Sequence, residues 1–193
     1  MLDTHGRKFV QPIIKYLADR CIRAGLSANQ VTIIALLLGL SVPLSIHLGY
    51  SLVGAILLWV SGLLDAVDGT IARLKGSNLF GALMDITFDR IVEIGIILVL
   101  AVKYPENNFL FLLLASSIII SMTIFLTVGT LSTKISEKSF YYQPGLAERT
   151  EGFIFFTGMI LFPQYLKIIV IIFILIIIFT AGQRMAEARK ILK

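Results

Sequence analysis

The sequence predicts an all-α integral membrane protein, with six transmembrane helices preceded by an N-terminal amphipathic juxtamembrane helix. Three observations carry this expectation. Of the 193 residues, 57% are hydrophobic and 15% charged, and the mean hydropathy is +0.90, whereas a soluble domain has about a quarter of its residues charged. Apolar runs approaching the ~20 residues that a spanning helix needs recur along the chain, separated by short polar breaks. The apolar excess excludes a disordered chain, and Cys21, the one cysteine, excludes a disulfide-stapled secreted fold. The stretch 1–24 interleaves charges with apolar residues, so it does not read as a cleaved signal peptide.

The elements follow in order. Phe9, Ile13, Ile14, Leu17, Cys21 and Ile22 recur at three- and four-residue intervals opposite Arg7, Lys8, Lys15, Asp19, Arg20 and Arg23. That spacing predicts a helix within 1–24, which either lies on the headgroup surface or packs on the rest of the protein. The first expected span is 31–48, closed by Gly49-Tyr50, and the second runs apolar over 51–64 before the polar stretch 65–73. A third begins near Gly81, carries Asp85 and Asp89, and runs to Val102; a fourth covers 109–131. The fifth is 152–162, extended back to about Pro144, and the sixth runs from 165 to about 184. Within the sixth, 166–179 has no polar face and reads as a lipid-facing anchor. No connection is long enough for a second domain, so 1–193 reads as one membrane domain with 25–193 as its six-helix bundle.

Charge then sets the orientation. With six spans, 15 of the 17 Lys and Arg residues fall on one side, leaving Lys103 and Lys167 on the other. The positive-inside rule places both termini and the basic side in the cytoplasm, in a multi-pass cell-membrane protein. Topology thereby accounts for most of the net charge of +5, and no nucleic-acid partner is expected. His5 and His47 have no partner pattern, and Trp59 reads as a packing or interface aromatic.

The chemistry is expected in 65–73 and 81–89. On a helix Asp65 and Asp68 share a face with Gly69, Ala72 and Arg73, while Asp85 and Asp89 share one with Gly81. Ionised carboxylates beside a bilayer cost several kcal/mol unless paired, hydrated or metal-bound. Four of the twelve acidic residues lie within 25 positions, where like charges repel and a cation resolves the repulsion. Oxygen-only ligands favour Mg²⁺, Mn²⁺ or Ca²⁺ over zinc. The small residues Gly69, Ala72 and Gly81 leave room for a bulky ligand. These residues alone do not separate phosphoryl chemistry from a cation transporter, from a scaffold, or from interhelical polar contacts that include an Asp–Arg73 pair.

Asp-x2-Asp-Gly-x2-Ala-Arg at 65–73, followed by Gly-x3-Asp-x3-Asp at 81–89, resembles the signature of the CDP-alcohol phosphotransferase family. Gly25 to Thr32 is similar to that family's stretch before the first span. Two departures are visible: seven residues separate Arg73 from Gly81 where eight are common, and Asn78 stands where a Ser is frequent. The resemblance implies a homodimeric phospholipid-biosynthesis enzyme with six transmembrane helices. It would transfer a phosphatidyl group from CDP-diacylglycerol, or an archaeal-lipid equivalent, to a polar alcohol and release CMP. It further implies that Asp65, Asp68, Asp85 and Asp89 ligate Mg²⁺ or Mn²⁺, two ions per site, and that Asp89 is the general base. Asn29, Thr32, Asp65, Gly69, Arg73, Asn78 and Gly81 would line the CDP-alcohol site.

Lys134, Arg149 and Arg184 resemble the basic positions with which family members hold the phosphate of a phosphorylated acceptor, although the positive-inside rule also places cations there. The Glu148-Arg149-Thr150-Glu151-Gly152 stretch is similar to the Glu-Arg-x-Glu-Arg pattern of inositol phosphate lipid synthases, with Gly152 in place of the second Arg. Inositol phosphate and glycerol-3-phosphate lead as expected acceptors, ahead of non-phosphorylated serine or inositol.

Overall fold

The computed structural model describes residues 7–76, 78–132, 145–146 and 148–192, with side chains from Val10 onward. Its described residues form seven α-helices: α1 (Arg7–Arg23), α2 (Ala28–His47), α3 (Ser51–Lys75), α4 (Leu79–Lys103), α5 (Asn108–Leu131), α6 (Arg149–Leu161) and α7 (Leu166–Ile191). Short 3₁₀ turns at Pro105–Asn107 and Pro163–Tyr165 precede α5 and α7. The helices fall into two compact units, His5–Lys103 and Tyr104–Lys193.

The expectation of six transmembrane helices is not met. Among the described residues, four segments are long and apolar enough to cross a bilayer: Ala28–His47, Ser51–Lys75, Pro105–Leu131 and Pro163–Ile191. The third expected span became α4, whose first 15 residues carry Asp85, Asp89, Arg90 and Glu93. That charge density disqualifies it as a plain span. The fifth became α6, whose 13 residues reach only ~20 Å against the ~30 Å of a hydrocarbon core. An all-helical, multi-pass membrane architecture nevertheless holds. Leu37, Leu44, Leu52, Ile56, Leu112 and Ile119 all stand exposed along the qualifying helices, which lipid tolerates and water penalises.

In the first unit the chain is punctuated at its turns. α1 ends at Gly25 (φ 81°), where the Gly25 amide donates to Ile22 and the Leu26 amide to Cys21, the paired bonds of a Schellman motif. Gly49 (φ 88°) repeats the device after α2. A capping box starts α2: Ser27 Oγ accepts from the Gln30 amide, and Gln30 Oε1 accepts from the Ser27 amide. Asn78 Oδ1 accepts the Gly81 amide and so caps α4.

α1 packs on the rest of its unit, one of the two roles the sequence left open. Ile14 and Ala18 pack with Val31, Val67 and Ile71 of α2 and α3, whereas Val10, Ile13 and Tyr16 on its other side are exposed. α2 and α3 cross closely enough for Ser61 Oγ to donate to the Ala35 carbonyl at 2.8 Å. Gly39 admits α4, since a Cβ there would collide with the Val92 side chain.

In the second unit α7 packs against α5 and α6. Its 166–179 run, expected to face lipid all round, buries Leu166, Val170, Phe173, Ile174 and Ile177 on one stripe. The stripe was hidden because both faces are apolar. The helix also continues past the expected end at 184 to Ile191, through residues with good helix propensity such as Ala186, Glu187 and Ala188.

Candidate metal and substrate site

α3 and α4 build the acidic site together. Asp65 and Asp68 sit one turn apart on α3, and Asp85 faces them from the second turn of α4. One carboxylate oxygen from each lies within 4.8 Å of the other two. Asp68 is the anchor of the group: its side chain is 3% exposed, and Oδ2 is buried without a hydrogen-bond partner. Around it stand the Thr32 hydroxyl, the Gly69 amide, Asp85 and Arg73. Thr32 Oγ1 donates to the Ala28 carbonyl at 3.0 Å, and this residue stands beside the carboxylate from the second turn of α2.

Three converging carboxylates, one with a buried oxygen left over, fit a hard divalent cation bound through oxygen. Asp89, one turn further along α4, lies outside the 4.8 Å group, although Asp85 and Asp68 both act electrostatically on it. Next to Asp89, Arg90 donates to Glu93 at 2.6 Å.

A cavity of about 160 Å³ opens between the first turn of α2 and the last turn of α3, lined by Ser27, Asn29, Ala72, Lys75, Gly76 and Asn78 among others. Ala72 is one turn beyond Asp68 on the same helix face. Gly81 belongs to this corner, because a Cβ there would come within 2.8 Å of Asn29 Oδ1 and 3.1 Å of Asn78 Oδ1. Arg73 is exposed and folds back along α3, with Nη2 donating to Thr70 Oγ1 at 2.9 Å. A Cβ on Gly69 would be 3.6 Å from Arg73 Nη1, so the glycine leaves the face beside the guanidinium open.

Of the expected CDP-alcohol residues, Asn29 and Asn78 thus line the cavity, Thr32 stands beside Asp68, and Asp65 belongs to the carboxylate group. Asn78 has a structural duty as well, the cap of α4. Ser27 and Lys75 were missed by sequence reasoning. The capping-box pattern Ser27-x-x-Gln30 was the available signal, since it fixes which residues stand at the mouth of α2.

The expected acceptor residues fall in the other unit. Arg184 is 6% exposed; its Nη1 donates to Ser121 Oγ at 3.3 Å and its guanidinium lies 4.7 Å from the centre of the Phe125 ring. Arg149 opens α6 and lies 5.4 Å from the centre of the Phe153 ring one turn on. Lys134 lies outside the described residues.

Comparison with known proteins decides the family. The profile described as CDP-alcohol phosphatidyltransferase matches residues 26–185. This chain belongs to the CDP-alcohol phosphatidyltransferase family. Over 183 residues it is 31% identical to the inner membrane protein YnjF of Escherichia coli, covering 86% of this chain and 84% of that one. Over 97 residues it is 36% identical to the phosphatidylinositol phosphate synthase of Corynebacterium glutamicum, covering 48% of this chain and 43% of that protein.

Among solved structures, the Mycobacterium tuberculosis phosphatidylinositol phosphate synthase with CDP-DAG bound is similar at TM-score 0.73 and 23% identity, over 92% of this chain and 94% of that one. The same synthase in complex with manganese and citrate gives TM-score 0.74 at 22% identity, over 91% and 88%. At this identity the likeness establishes the fold. The family is one of phosphatidyltransferase enzymes, and the Asp65, Asp68 and Asp85 group suits the divalent cations of which manganese is one.

Proposed function

We propose that this protein transfers a phosphatidyl group from CDP-diacylglycerol to the hydroxyl of a polar, phosphorylated alcohol, releasing CMP. The observation that carries the reading is the convergence of Asp65, Asp68 and Asp85 around a buried, unpartnered Asp68 oxygen, in a chain of a phosphatidyltransferase family. Two of the relatives are phosphatidylinositol phosphate synthases by name, which favours inositol phosphate as the acceptor, with glycerol-3-phosphate next.

Asp65, Asp68 and Asp85 would hold a divalent cation, and Asp89 would serve a second. Bound there, the metal supplies charge neutralisation for the pyrophosphate of the donor. The cavity at Asn29, Ala72 and Gly81 takes the nucleotide end of the donor, with Arg73 on a phosphate. Asp89 removes the acceptor's hydroxyl proton, the oxygen attacks the β-phosphorus, and the bond to CMP breaks. Lys134, Arg149 and Arg184 hold the acceptor's own phosphate, since arginine forks match phosphate oxygens in pairs.

The acidic site faces the cytoplasm in this reading. In the first unit Arg20, Arg23, Arg73 and Lys75 gather where α1 and α3 end, while the opposite end offers Lys103, whose Nζ reaches the Ile46 carbonyl at 3.5 Å.

The test is CMP release by purified protein in detergent with CDP-diacylglycerol and Mg²⁺, across inositol phosphate, glycerol-3-phosphate, inositol, serine and no acceptor. Release that needs a phosphorylated acceptor, metal and Asp89 supports the reading. Cation flux into proteoliposomes without CMP release would replace it with transport.

A further inference from the structure

Arg184 is more tightly built in than a charge at a helix end requires. It lies in the last third of α7, 6% exposed, where an unsupported guanidinium would turn toward water. Two residues of α5 hold it. Ser121, itself buried, accepts a hydrogen bond from Nη1 at 3.3 Å, and the ring of Phe125, one turn later and also buried, lies 4.7 Å from the guanidinium carbon.

A third contact comes from the chain before α6. A Cβ on Gly145 would fall 3.5 Å from both Nε and Nη2 of Arg184, and would collide with the Thr180 methyl. Thr180 is fully buried and its hydroxyl donates to the Ile176 carbonyl, so it has little freedom to yield. The Gly145 amide is itself held by Glu148 Oε1 at 3.2 Å. The guanidinium is therefore fixed by a ring and a hydroxyl from α5, and its buried Nε packs beside Gly145.

We propose that Ser121 and Phe125 are positioning residues that orient Arg184 for a phosphate-bearing acceptor. This rests on the acceptor reading above. A preformed guanidinium loses less freedom when it pairs with phosphate, so the device acts on acceptor affinity. Neither Ser121 nor Phe125 touches the acceptor.

The experiment uses the full chain in detergent, with wild type, Arg184→Lys, Ser121→Ala, Ser121→Thr, Phe125→Leu, Phe125→Tyr and the double variant Arg184→Lys/Phe125→Leu. CMP release gives KM for the phosphorylated acceptor and, separately, for CDP-diacylglycerol; calorimetric titration with inorganic phosphate gives a readout independent of turnover. Ser121→Ala and Phe125→Leu are expected to raise the acceptor KM and the phosphate Kd by about three- to thirtyfold. KM for CDP-diacylglycerol should stay within about twofold, and Ser121→Thr and Phe125→Tyr should restore most of the loss.

Phe125→Leu should add little once Arg184 is already Lys. Equal losses on both substrates, unchanged acceptor and phosphate binding, or a full additional loss in the double variant would each overturn the positioning role while leaving the acceptor reading in place. If Arg184→Lys itself changes neither acceptor KM nor phosphate binding, or if wild type neither binds phosphate nor uses a phosphorylated acceptor, the acceptor reading and this inference fall together.

Discussion

At the residue scale Asp68 concentrates the site's charge problem. Its buried Oδ2 lacks a protein partner while Asp85 and Asp65 approach it, so the group is stable as a set of anions only with a cation among them. Asp68→Asn is expected to lower CMP release at least about a hundredfold with the fold retained, because the amide keeps the shape and loses the charge. Circular dichroism and turnover together check it. Removing metal with EDTA should abolish turnover in the wild type, and added Mn²⁺ or Mg²⁺ should restore it. Gly81 tests the cavity: Gly81→Ala puts a methyl against the Asn29 and Asn78 side-chain oxygens, which must swing aside. It should raise KM for CDP-diacylglycerol more than KM for the acceptor.

At the scale of elements, the site depends on how α2 starts and how α4 crosses it. Ser27 satisfies the Gln30 amide at the mouth of α2, beside Asn29. Ser27→Ala should cost about 1 kcal/mol, read as a lower unfolding temperature in detergent. Deeper in the unit, Gly39→Ala would overpack the α2–α4 contact against Val92 and Ser61, at a cost of about 1–3 kcal/mol and with the acidic group drawn apart. A larger fall in turnover than in Tm would mark that displacement.

The carboxylate pairs were legible because i, i+3 and i, i+4 spacing places residues on one face whatever surrounds the helix. The count of spans was not legible in the same way. Hydropathy registers the apolar residues of α4 but not whether Asp85, Asp89, Arg90 and Glu93 meet lipid or protein, and the buried stripe of α7 has no polar counterpart to reveal it.

At the scale of the whole molecule, the charge asymmetry predicts the side on which the chemistry occurs. In a Cys21→Ala background, Lys75→Cys should react with an impermeant maleimide only from the cytoplasmic side, and Tyr50→Cys only from the other. Labelling in the reverse sense would put the acidic site outside.

The sequence by itself determined the membrane class, the signature that led to the family, and which carboxylates share a helix face, since composition and helical periodicity are local properties. Tertiary structure decided that Asp85 closes on Asp65 and Asp68, that α1 packs against α2 and α3, and that Ser121 and Phe125 hold Arg184. Each of those depends on residues from different helices meeting at distances of a few ångströms. No spacing along one chain encodes that approach; it is fixed by packing, through Gly39 against Val92, Gly81 against Asn29, and Gly145 against Thr180.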